Sequence, residues 1–281
     1  SYFNVRPFQP QVVSQNLLVD QAKDTGRVLR MKGLEATVFG GQSTSEEELA
    51  KYFFFDGKTE LTVKEDAPGT DAAELTQDIL SLNFNLDTAA DGFHSRIKIA
   101  PKQTFFGVGL SARFHYREKY WLMIEAPIVH VRNDMQLTEE FINAAGGASA
   151  IPAVNSKTTV GTMKDALKQP GMNYGKIDGV KKETRLADLT FKVGYDNPLL
   201  NRKDLYMTSY LGLVLPTGNK AKAEYMFEPI CGNGGHLAFM MGSKGELELR
   251  KFKSGKLWLS WGAETQYLFQ NTQKRSFDLT L

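Results

Sequence analysis

Apolar and polar side chains alternate along most of this chain, and the longest such run, Thr104 to Arg132, predicts two long strands joined by a tight turn. Phe106, Val108, Leu110, Ala112, Phe114 and Tyr116 share one face, with Gly107, Gly109, Ser111, Arg113 and His115 on the other. A period of two is the mark of a strand. Beyond Arg117-Glu118-Lys119, Tyr120, Leu122, Ile124 and Ala126 resume the apolar face opposite Glu125. Past Pro127 the apolar positions change parity to Val129 and Val131, which predicts a bulge at the proline. Each arm has roughly a dozen residues, enough for the roughly 9–11 that a tilted strand needs to cross a bilayer.

The same pattern predicts further strands: Gly33 to Gly41, then Leu80, Leu82, Phe84 and Leu86, then Phe93, Ile97 and Ile99. Others follow at Ala187 to Tyr195, Leu205 to Leu215, Leu237 to Leu249 and Leu257 to Phe269, with a last short alternation at Phe277, Leu279 and Leu281. Ser45 and Glu48 stand at capping-box spacing and predict a short helix through about Tyr52. Between Asn133 and Thr184 lies an insert with two helical patterns, Thr138 to Ala145 and Thr162 to Lys168. Residues 1–25, with Pro7 and Pro10, read as an irregular lead-in or a plug segment.

Alternation alone does not say whether the apolar face meets a core or lipid, because soluble and membrane barrels share the period. Loop parity separates them. The long connections, 42–77, 133–184 and 216–234, are all odd-numbered and leave one end of an up-and-down barrel, as in outer-membrane proteins. Aromatic residues gather toward strand ends, where interfacial girdles lie: Tyr116, Tyr120, Trp121, Tyr195, Tyr206, Trp258 and Tyr267. The expected fold is therefore all-β, an antiparallel up-and-down transmembrane β-barrel of at least ten strands. Its domain would run from 26 to 281, with 133–184 as a long extracellular insert. Ser276 to Leu281 is short for a span and lacks a closing aromatic, so the barrel is expected to continue past it.

Composition narrows the function. The formal charge of the 281 residues is +2, dispersed along the chain, which gives no basic face for nucleic acid. One cysteine and four histidines make neither an internal disulfide nor a zinc-spaced cluster, so no metal or cofactor is expected. Charges on the polar faces, Arg113, His115, Glu125, Asp188, Lys192, Glu246 and Glu264, would line a lumen, either as rings that bias permeation or as simple ion pairs. His130 with Asp134, and His236 near Glu228, are the pairs that catalysis would need, but no nucleophile accompanies them and the chain is not expected to be an enzyme. Gly232 to Gly235 lacks the Lys-Ser/Thr of a phosphate loop and reads as a tight turn, while Cys231 reads as a small buried residue. In the insert, Phe141, Ile142, Met163 and Leu167 are expected to fold back and narrow the mouth above Arg113 and Lys192.

Leu213-Val214-Leu215-Pro216-Thr217-Gly218-Asn219, followed by Gly232-Asn233-Gly234-Gly235 and a long strand, resembles the strand-loop-strand of the bacterial outer-membrane barrels grouped with phenol-degradation and fatty-acid channels. That resemblance implies an outer-membrane location, passive uptake of small and even hydrophobic solutes, and a lumen plugged by an N-terminal segment or inserted loop. Membrane lipid, lipopolysaccharide and a small-molecule solute would be the partners, and a homo-oligomer is compatible with it. Two alternatives stay open: a soluble lipid-binding barrel, and an adhesive or structural outer-membrane barrel.

Overall fold

The structure, a computed structural model, describes residues 29–54, 57–64, 78–80, 94–116, 119–143, 162–169, 172–197, 205–252 and 255–274. In chain order the elements are β1 (Leu29–Gln42), α1 (Glu46–Phe53), β2 (Glu60–Lys64), β3 (Ile79–Leu80), β4 (His94–Lys98), β5 (Lys102–Tyr116) and β6 (Tyr120–Asp134). They continue with β7 (Thr138–Asn143), α2 (Met163–Ala166), β8 (Lys181–Leu186), β9 (Leu189–Asp196), β10 (Leu205–Leu215), β11 (Ala238–Lys251) and β12 (Lys256–Leu268). The expected lead-in 1–25, the alternations at Leu82 to Leu86 and Phe277 to Leu281, and the insert glycines Gly146, Gly147, Gly161 and Gly171 lie outside the described residues.

One sheet of eight strands forms a strongly curled antiparallel meander in the order β1-β5-β6-β9-β10-β11-β12, with β8 also on β6. β8 and β9 share one flank of β6, against Ile128 to Asn133 and Tyr120 to Glu125 respectively, so the sheet is seven positions wide. β5 and β6 pair without a break from Lys102↔Asp134 to Tyr116↔Tyr120, so β6 has no bulge at Pro127 and its parity never changes. The extra residue lies instead on the neighbour. Glu125 pairs with Thr190 and Ile128 with Leu186, leaving Ala187, Asp188 and Leu189 opposite Ala126 and Pro127. Pro127 accepts from the Ala187 amide at 2.8 Å, so its missing N–H faces this same flank, where a bulged partner no longer needs it. The shift of apolar residues from Ala126 to Val129 is therefore a change in what covers each face.

The predicted strands at Leu80 and at Ile97 do not join this sheet. Ile79–Leu80 and His94–Lys98 pair with β2 in a separate sheet of order β3-β2-β4-β7, so the first connection runs from 43 to 101 and these two segments are not among the eight strands that the large sheet has among the described residues. Five-residue β2 and β4 bury alternate side chains, Leu61, Val63, Ser95 and Ile97, and are too short to span a bilayer. The helix expected over Thr138 to Ala145 is strand β7, because the open edge of β4 supplies partners for its backbone and pairing outweighs helix propensity. Its Glu139 carboxylate then accepts from the Met163 and Lys164 amides, both at 3.0 Å, at the N-terminus of α2. Both other predicted helices form. Ser45 caps α1 by accepting from Glu48 N at 3.3 Å, and Thr162 caps α2 by accepting from Asp165 N at 3.0 Å.

Three long connections, 43–101, 135–180 and 216–237, leave the large sheet at one end, and short turns close the other. They build a cap with its own core. The first contributes Phe53, Val63 and Ile99, the second Met163, Leu167 and Ile177, and the third Phe227, whose ring lies 5.0 Å from Phe53. Met163 and Leu167 are thus buried as expected, whereas Phe141 and Ile142 on β7 are exposed.

Candidate functional site

The two faces of the large sheet differ in an unusual direction. The outward face carries exposed apolar side chains on each of its seven strand positions: Leu34 at 73%, Val38 at 66%, Phe106 at 55%, Ile128 at 46%, Val193 at 59%, Leu211 at 55%, Leu249 at 53% and Leu257 at 49%. Soluble proteins rarely expose so extensive an apolar surface. On β5 it runs from Phe106 to Tyr116, about 33 Å along the strand and about 25 Å along a membrane normal at the usual barrel tilt. Tyr116, Tyr120 and Tyr195 lie exposed at the short-turn end, with the last two rings 5.2 Å apart, and Tyr267 and Phe269 at the other. Above Ile128 the outward face of β6 turns polar with His130 and Arg132.

The other face is concave, since its side chains meet across intervening strands. Lys192 Nζ on β9 lies 3.0 Å from Glu125 on β6 and 3.7 Å from Glu264 on β12, past β10 and β11. Glu264 also accepts from the Tyr210 hydroxyl at 2.6 Å, and Lys192 and Lys244 both approach that ring. Toward the short-turn end Arg113 lies 3.6 Å from Asp196 and 4.4 Å from the centre of the Trp121 ring, while Trp121 Nε1 donates to Thr208 Oγ1 at 2.9 Å. Gly194 makes room for that ring: a Cβ there would stand 2.0 Å from it. Both ion-pair groups hold buried cations, Arg113 and Lys192, and such charges persist in an interior only when paired.

All seven charged residues expected on a lumen face lie on this concave face or at its upper margin, with His115 and Glu246 half-buried there. Trp121, Tyr206 and Trp258, expected in an aromatic girdle, belong to the inner parity, and Trp121 is buried. Asp196, Thr208, Tyr210 and Lys244 were not singled out in advance, although the alternation already placed Thr208 and Tyr210 on the polar face; which charges they meet depends on the curl.

Asp188 differs from the rest. It is buried at the bulge and has no Lys or Arg within ion-pair distance among the described residues. Its Oδ1 accepts from Gly218 N at 3.1 Å and its Oδ2 from Asn233 N, so both limbs of the β10–β11 loop close on one carboxylate. Thr217 Oγ1 adds a bond from Leu189 N at 3.0 Å and donates to Ala187 O at 2.5 Å. The Pro-Thr-Gly and Gly-Asn-Gly segments are therefore a clasp on the sheet. Gly232, at φ +96°, could carry no side chain here, since a Cβ would lie 2.6 Å from Asp188 Oδ1.

Above the charged layer the concave face becomes apolar. Val129, Val131 and Ala187 pack with Phe39 and Phe105 around Cys231, which the β10–β11 loop brings in. Burial pushes the Cys231 thiol up to about 11. The two histidine pairs considered for catalysis do not form. His130 meets Thr184 Oγ1 at 2.7 Å, His236 meets Phe269 O at 2.9 Å, and Glu228 accepts instead from the amides of Lys222, Glu224 and Tyr225. Among the described residues there is no group of three metal-capable side chains, and no helix is long and apolar enough to cross a membrane.

Fold and faces together define a class: an antiparallel β protein with a strongly curled sheet, apolar outside and ion-paired inside. No protein-family model matches the chain, and no curated protein and no solved structure matches it either.

Proposed function

We propose that the curled sheet is the wall of an outer-membrane β-barrel whose polar interior serves passive diffusion of small solutes. The observation that carries this reading is the reversed polarity of the sheet: its apolar side chains are exposed on the convex face and its charges are buried and paired on the concave one. Such an arrangement is unfavourable in water and favourable in lipid, where an apolar band of about 25 Å is what a bilayer matches. Grouping with the phenol-degradation and fatty-acid channel barrels, on the Pro-Thr-Gly and Gly-Asn-Gly segments, extends the proposal to solutes that include hydrophobic ones. A soluble lipid-binding barrel would need the opposite polarity, with an apolar interior. The proposal includes no catalytic step.

Detergent dependence and planar-bilayer conductance test it. The folded protein should require detergent or lipid, migrate on gels in a heat-modifiable way and conduct ions. Monodisperse behaviour in plain buffer would remove the membrane reading. Correct folding in bilayers without conductance would favour the adhesive or structural barrel, which the apolar layer across the upper interior also supports.

A further inference from the structure

We propose that the β10–β11 loop, 216–237, is a plug seated in the loop end of the concave face, that Asp188 is its latch, and that release of the latch hydrates and opens the interior. Residues of the insert 135–180 pack in the cap, whereas Cys231 of this loop enters the sheet itself, its Sγ 3.6 Å from Val129 O and its surface wholly covered. The loop has internal supports that let it move as a unit. Asn219 joins its limbs, donating from N to Cys231 O at 3.2 Å and accepting from Cys231 N at 2.6 Å, and Glu228 gathers three amides of the loop tip. It is fastened at the bulge on Asp188 and Thr217, by Asn133 Nδ2 on Glu228 O at 2.9 Å from β6, and by Asn271 Nδ2 on Gly235 O at 2.8 Å just past β12. Its tip meets the insert, with Lys176 N donating to Glu224 O at 2.9 Å, and Phe227 packs in the cap core; of these contacts the bulge carboxylate is the buried one that both limbs share.

The chemistry of the latch couples seating to dryness. A buried carboxylate with no Lys or Arg within ion-pair distance among the described residues is tolerable only while donors satisfy it, and here the donors are amides of the plug itself. When the plug leaves, that carboxylate must take water in their place, so an open plug and a wet upper interior are one state. Glycine at 218 permits the close approach of the two limbs, since a Cβ there would stand 1.9 Å from Cys231 O. The plug rests on the barrel reading only for its effect on permeation.

Cys231 is the chain's sole cysteine and reports the seat directly. The full chain, folded in detergent and in vesicles, is treated with a maleimide while heat-modifiable migration confirms the fold. Asp188→Ala should raise the labelling rate at least tenfold and increase conductance, with Asp188→Asn between it and the unaltered protein because one acceptor remains. Equal protection of Cys231 in folded Asp188→Ala protein overturns the latch. Should that variant not fold, the unaltered protein in graded urea decides: labelling at concentrations below those that abolish tryptophan fluorescence supports a separately opening plug, and labelling only with global unfolding overturns it. Faster labelling without conductance keeps the latch and removes the channel reading.

Discussion

At the scale of single residues, the buried cations dominate. Lys192 is held between Glu125 and Glu264, so Lys192→Met should remove the ion-pair partner of both carboxylates, leaving Lys244 as the neighbouring cation, and cost about 2–3 kcal/mol, read as a lower urea midpoint. Adding Glu125→Gln and Glu264→Gln to that variant should restore most of the loss, because the two groups that lost their partner are then neutral. Gly194→Ala forces a methyl into the Trp121 ring and should cost about 2 kcal/mol by overpacking, with a changed near-ultraviolet circular dichroism as the ring leaves Thr208. For Cys231 the sign follows from its raised pKa of about 11. Its thiol stays protonated and unreactive at pH 8 in the folded protein, and unfolding returns it to an ordinary value near about 8.5, where alkylation is fast. Labelling of the unaltered folded protein at pH 8 should therefore be slow, and rapid on denaturation.

At the scale of elements, strand faces carry the argument. Leu211 sits on the outward face of β10 and is exposed, so in plain solution Leu211→Arg would be tolerated within a few tenths of a kcal/mol. In a bilayer the same change should cost about 2–4 kcal/mol near the midplane. Refolding yields into vesicles and into mild detergent distinguish the two. How legible the elements were in the sequence varied with the range of the forces that make them. Ser45 and Thr162 cap their helices through residues three positions away, so the code is local. β7 lies in a segment with a helical pattern, and only the free edge of β4, some forty positions earlier, turned it into a strand.

For the whole molecule, direction along the sheet sets a condition on closure. β1 and β12, the two margins, are separated by five positions of alternating direction and therefore run the same way. An antiparallel barrel can close between them only through an odd number of further strands. In lipid an unpaired margin would leave a row of amides and carbonyls in hydrocarbon, at several kcal/mol for each group. Hydrogen exchange in bilayers should therefore find the marginal amides of β1 and β12 as protected as those of β6 and β10. Fast exchange confined to the margins would mean an open sheet and would contradict the barrel.

What the sequence by itself determined is what repeats at short range: the two-residue period that builds β5, β6 and β10, the two helix caps, and the order of long and short connections that sends the large loops to one end. Tertiary structure alone decided that the apolar shift after Pro127 is a change of covering on an unbroken strand, because the cost of a missing N–H falls on the neighbour that bulges at Asp188. It also decided which charges pair, since Lys192, Glu125 and Glu264 meet only when the five strands from β6 to β12 curl, and that the glycine-rich segments close on a buried carboxylate. Alternation specifies a face for each side chain, whereas a hydrogen bond or ion pair requires position to within an ångström or so, and that depends on register and curvature summed over the whole sheet.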